Sequence, residues 1–174
     1  MTTATSTTTV APPCVTLHLG AVEGWLALSD DERHDLPLGL HTLAQHRFLG
    51  RMPDALALEQ GIEEVEDAIM PAAPWLPRPV HLQTHDALLH DIACVAGADK
   101  LLTRDAVEQL FERLARQAER AGAPDSLLPQ DPVWAAALLV LRECLHHWRS
   151  RHCTSRASRP RPARGAAQES VRQV

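Results

Sequence analysis

Ten histidines stand in this chain of 174 residues. Imidazole both moves protons and binds metals near neutral pH, so their spacing is where chemistry would show. The densest run of soft ligands spans Cys144, His146, His147, His152 and Cys153. Cys144 and His147 are three apart, which on a helix puts them on one face. Thiolate and imidazole are both zinc ligands, and His152 and Cys153 would fold back to complete a set of four. Zinc motifs usually supply ligands from two short clusters across a loop, whereas these come from a helix end and the chain beyond it. The plainer reading makes Cys144 a small core hydrophobe. It leaves His146 and His147 to serve the last carbonyls of the helix.

His81, His85 and His90 form a second group. A helix beginning near Pro79 would turn His81 and His85 inward together, where a pair of imidazoles can hold a metal or haem. Thr84 as a helix cap would instead leave His81 outside. His90 lies about 140° around the helix from His85 and cannot join them. No glutamate follows His81 as it would in H-E-x-x-H. His90 and Cys94 are four apart, a pair that can lower a thiol pKa or simply be surface neighbours. There is no G-x-S-x-G and no Gly-rich phosphate loop.

The carboxylates crowd one stretch. Glu59, Glu63 and Glu66 share a helix face, where like charges at this spacing oppose one another. Such a face is either solvated or a docking surface for a basic partner. A di-iron bundle needs Glu-x-x-His on two helices, and the chain does not supply that pair. Ile92 to Gly97 followed by Thr103 to Val107 has a helix-turn-helix rhythm, but Asp105 and Glu108 would meet phosphate with the wrong charge.

The elements that must position these groups read as helices. Ala and Leu, the best apolar helix formers, are abundant, and aromatics make up only 3% of the chain. Leu58, Ile62, Val65 and Ile69 mark one helical face after Pro53-Asp54. Leu88, Ile92 and Val95 mark a second, and Val107, Leu110, Phe111, Leu114 and Ala118 a third. Ser29 to Glu32 fits a capping box, and Pro37 to Gly50 a further helix. Val15 to Leu19 is too brief to assign. Four prolines in residues 71–80 predict an extended connector, with Trp75 pinning it to the body. Asp131-Pro132 opens a helix over 133–148 whose first half is apolar on every side, so it should be central.

These features predict an all-α fold: an irregular bundle of about five or six helices with disordered N- and C-terminal tails. The expected boundaries are a tail at 1–14, a helical domain at 15–149 and an Arg-rich tail at 150–174. Residues 1–148 carry ten basic and twenty-one acidic side chains; residues 149–174 carry seven arginines and one glutamate. An acidic body repels nucleic acid, leaving only the tail to contact it. No apolar run reaches the roughly 18–20 residues that span a bilayer. Four cysteines without a C-x-x-C pair predict free thiols in the cytoplasm.

With no complete catalytic set, the expected function is a small cytoplasmic adaptor rather than an enzyme. It would bind a protein partner through Glu59, Glu63 and Glu66; its cofactor is unknown, either none or, in the metal-binding alternative, zinc or iron. The first alternative is a metal- or haem-binding helical protein holding zinc or iron through Cys144, His147, His152 and Cys153. The second is a regulator whose C-terminal tail contacts DNA.

Overall fold

The computed structural model describes residues 14–120 and 124–156. Its centre is a six-stranded mixed sheet, not a helical bundle. The strands are β1 (Cys14–Leu19), β2 (Gly24–Ala27), β3 (Arg33–Leu36), β4 (His81–Thr84), β5 (Leu101–Thr103) and β6 (His152–Ser155). The helices are α1 (Leu40–His46), α2 (Ala55–Ile69), α3 (Ala87–Val95), α4 (Arg104–Glu119) and α5 (Pro132–His147). Strand order across the sheet is β3-β2-β1-β4-β6-β5. β1, β4 and β6 run parallel; β2, β3 and β5 are antiparallel to their neighbours.

Alternation explains the sheet. In β1, Val15, Leu17 and Leu19 are buried while Thr16 and His18 are only partly covered. This is the period of two that puts successive side chains on opposite faces. Leu26, Leu82, Leu102 and Cys153 continue the buried face. With strands of three to six residues, this pattern is too short to compete with the long Ala- and Leu-rich helical runs.

The correction to the all-α expectation is therefore local and repeated. The presumed capping box at Ser29 to Glu32 is the β2–β3 turn, closed by Leu28 N–H donating to Glu32 O at 3.0 Å. His81 opens a strand rather than a helix. Residues 152–155, expected in the tail, form β6 between β4 and β5. Cys14, assigned to the N-terminal tail, begins β1. The remaining tail residues, 1–13 and 157–174, lie outside the described residues.

The long helices stand near their expected places. Asp54 caps α2 by accepting from Ala57 N, Thr103 caps α4 through Ala106 N, and Asp131 caps α5 through Val133 N. α5 is central: α1, α2, α3 and α4 all pack on it. From Trp134 to Leu141 every residue is buried, each large apolar side chain contributing about 1.5–3 kcal/mol relative to exposure. Trp75 in the Pro-rich connector stacks on His34 with ring centroids 5.5 Å apart. No helix among the described residues is long and apolar enough to cross a membrane.

Candidate functional site

In open α/β sheets, ligands sit beyond the carboxyl ends of parallel strands, where the chain changes direction across the sheet. Here that point lies between β1 and β4. β1 continues to β2 and β3 on one side and meets β4 on the other. Two side chains meet there. His18 stands on the partly covered face of β1, and Asp86 precedes α3 in the loop after β4.

Asp86 Oδ1 lies 2.6 Å from His18 Nδ1, and Asp86 Oδ2 accepts the Leu19 N–H at 2.7 Å. The Asp86 N–H donates to Thr84 Oγ1 at 3.1 Å, and Thr84 is itself buried. The carboxylate is thus held at both oxygens and the residue at a third point through its backbone N–H; its side chain is 14% exposed, against 40% for His18. Trp25 packs beside the imidazole, ring centroids 5.0 Å apart. A carboxylate on Nδ1 places the ring proton there and leaves the Nε2 lone pair free to accept a proton. That end of the ring faces the β1–β2 turn. A Cβ added at Gly20 would lie 3.5 Å from His18 Nε2 and 2.4 Å from Glu23 O, so only glycine fits.

A second string of groups lines the same edge. His90 Nδ1 lies 3.1 Å from Ser155 Oγ, joining α3 to the end of β6, and His90 Nε2 lies 3.7 Å from Cys94 Sγ. The Cys94–His90 pair expected from spacing therefore exists. His81 and His85 do not share a helix face, because His81 begins β4 and His85 follows its end. His81 instead neighbours His152 across β4 and β6, ring centroids 5.6 Å apart.

Among the described residues the expected His/Cys ligands do not form one cluster, although the Cys153 thiol lies near enough to Cys144 to act on its charge. Cys144 is fully buried in α5 and Cys153 is buried in β6. Burial pushes the Cys144 thiol well up and the Cys153 thiol up to about 12. Both are neutral thiols at pH 7, whereas a metal takes thiolate. His152 stays at the sheet, and His147 turns toward α2.

The acidic face is also divided. Glu59 and Glu63 are exposed, and Glu64 pairs with Arg47. Glu66 instead reaches α5, where its Oε1 lies 2.9 Å from His147 Nε2. Glu143, not singled out from the sequence, completes this group. Among the described residues, Glu66, Glu143 and His147 are the set of metal-ligating side chains whose ligand atoms lie within 4.8 Å of one another.

Sequence reasoning also missed His18 and Asp86. They are 68 residues apart and meet only through the β1–β4 pairing. The available signal was Thr84-His85-Asp86, a side-chain-capped turn at the end of a short strand.

This mixed α/β fold is similar to that of Ppx/GppA proteins. A Ppx/GppA enzyme of Aquifex aeolicus superposes with a TM-score of 0.65 at 12% identity, over 83% of this chain and 53% of that one. An exopolyphosphatase from Cytophaga hutchinsonii gives a TM-score of 0.60 at 10% identity, over 84% of this chain and 53% of the other. An exopolyphosphatase-like protein gives 0.63 at 11% identity, over 87% and 59%. The chain thus spans little more than half the length of these structures. No family model matches the sequence, and neither does any curated protein.

The fold overturns the helical-adaptor expectation, whose premise was a bundle with no furnished edge. It removes the basis for the helical metal or haem protein as well. The helix-turn-helix rhythm is likewise broken, because Leu101–Thr103 is a strand inside the supposed turn.

Proposed function

We propose that this chain is a phosphatase-type domain that hydrolyses a phosphoanion, with inorganic polyphosphate the first substrate to test. The reading rests on one observation: the Asp86–His18 pair stands at the switch point of a sheet whose similar structures are described as a Ppx/GppA enzyme, an exopolyphosphatase and an exopolyphosphatase-like protein. In this reading, His18 Nε2 takes a proton from water as the water oxygen attacks phosphorus. The bond from phosphorus to the departing phosphate oxygen breaks, and Asp86 stabilises the imidazolium that forms. Cys14 and Cys94 are exposed free thiols, which fits a reducing compartment and supports a cytoplasmic place for the protein.

The test is orthophosphate release from polyphosphate by the purified chain. A positioned base typically contributes about 10²–10⁴-fold, so His18→Ala should lower the rate by about a hundredfold or more. Absence of release by the wild-type chain, or equal rates for wild type and His18→Ala, would refute the reading.

A further inference from the structure

We infer that Glu66, Glu143 and His147 bind one divalent transition-metal cation, of the zinc class, that clamps α2 to α5. The inference is independent of the carboxyl-edge reading, because this cluster lies between helices and shares no residue with His18 and Asp86.

One carboxylate oxygen of this cluster is unsatisfied. Glu143 is 1% exposed, and its Oε2 has no hydrogen-bond partner among the described residues. A buried carboxylate oxygen is costly to leave bare. Its other oxygen, Oε1, accepts from Arg142 Nη1 at 2.5 Å. The bare Oε2 points at His147 Nε2, 3.3 Å away. That nitrogen carries at most one hydrogen, and Glu66 Oε1, at 2.9 Å, already accepts it. Two carboxylates therefore compete for one N–H.

Charge points the same way. Arg142 is shared between Glu143 and Glu108, at 3.2 Å. Arg142 pairs with two of the three carboxylates, and Glu66, on His147, adds a third, so with a neutral imidazole the group carries two uncompensated negative charges. A divalent cation removes that excess.

Geometry then selects the cation. Ligand atoms around a tetrahedral centre with bonds of about 2.0–2.1 Å are about 3.3–3.4 Å apart. The observed separations of 2.9 Å and 3.3 Å from His147 Nε2 approach this before any adjustment. Two carboxylate oxygens and one imidazole nitrogen form a borderline donor set that favours Zn²⁺ over Mg²⁺ or Ca²⁺. Helical spacing makes the preformed part: Glu143 and His147 are four apart on α5, one turn, and Glu66 faces them from α2. Access exists, since the Glu66 side chain is 41% exposed and His147 lines a groove of about 490 Å³.

The test uses the full chain equilibrated with Zn²⁺ and then dialysed, with retained metal measured by mass spectrometry. One equivalent should remain on the wild type, and added Zn²⁺ should raise its Tm. Loss of even an outer-shell partner weakens metal sites by about 10–100-fold, so Glu66→Gln should weaken binding by at least tenfold and abolish the Tm response. Glu66 is half exposed, so this variant keeps the fold; Glu143→Gln should behave the same way on metal. Cys144→Ser should keep the equivalent. No retained Zn²⁺ on the wild type overturns the site. Retention undiminished in Glu66→Gln and Glu143→Gln, or lost in Cys144→Ser instead, does so equally.

Discussion

The Asp86 carboxylate holds His18 Nδ1 at 2.6 Å and so ties the loop after β4 to the end of β1. Both oxygens are engaged, one by the ring and one by the Leu19 amide at 2.7 Å. Asp86→Asn keeps the shape but turns one acceptor into a donor facing a donor. Hydrogen bonds to charged groups are worth about 1.5–3 kcal/mol. Unfolding in urea at pH 7 should show Asp86→Asn less stable by about 1–3 kcal/mol, alongside its loss of any hydrolysis. A shift in midpoint within error would mean that the pair holds nothing together.

Asp125 supports the approach to α5. Arg113 grips its two oxygens at 2.9 and 3.0 Å, and Asp125 Oδ1 also accepts the Leu127 N–H at 2.9 Å. The Leu127 amide and, after it, the Arg113 guanidinium hold the carboxyl below its ordinary value of 3.8. A depressed folded-state pKa contributes stability above the unfolded value and loses it as pH falls through the folded one. The stability gap between wild type and Asp125→Asn should therefore be full at pH 7 and shrink steadily below about pH 4. Paired urea melts across that range check this, and a gap independent of pH contradicts it.

What the sequence showed, and what it hid, divides by the length of the repeating pattern. α2, α4 and α5 carry three to five turns of apolar periodicity plus an Asp or Thr cap, so Asp54, Thr103 and Asp131 could be placed from the chain alone. The strands offer two or three alternations each. β4 holds only Leu82 and Thr84 on its buried face, which no periodicity window separates from a helix start. His147 and Glu66 each attracted notice, but in different roles, because their meeting depends on how α2 packs on α5. Glu143 drew none. An acid within an apolar helix becomes informative only when it proves to be buried.

The four cysteines should sort into two classes. Cys14 and Cys94 are exposed, while Cys144 and Cys153 are buried. Burial holds the Cys153 thiol up to about 12. For an acid with a raised folded-state pKa, stability is complete below the unfolded value, 9.0, and lost as pH rises toward the folded one. Titration with a thiol reagent at pH 8 should label two cysteines quickly in the native protein and four in urea. Stability should also fall between about pH 9 and pH 12, less steeply in Cys153→Ser. Rapid native labelling of all four would place Cys144 and Cys153 outside the core.

Gly39 couples the start of α1 to the turn beside His18. The Leu40 N–H donates to Gly20 O at 3.0 Å and the His41 N–H to Ala21 O at 2.9 Å, so the β1–β2 turn sits on the first turn of α1. A Cβ at Gly39 would lie 2.2 Å from both C and O of Val22, backbone atoms that cannot swing aside. Gly39→Ala must push the turn away and break those two bonds, at a cost of more than about 3 kcal/mol. Gly61, inside α2, gives the contrast. Its Cβ would meet Leu139 Cδ2 at 3.0 Å and Phe48 Cε1 at 3.3 Å, side-chain ends that must give by a few tenths of an ångström inside the buried core. Alanine there gains about 1 kcal/mol of helix propensity against an overpacking cost of about 1–3 kcal/mol, so Gly61→Ala should cost about 0–2 kcal/mol, less than Gly39→Ala. Urea melts of the two variants should show the larger loss in Gly39→Ala. Equal tolerance of both would show that the turn is not seated on α1 and that the environment of His18 is not fixed by that contact.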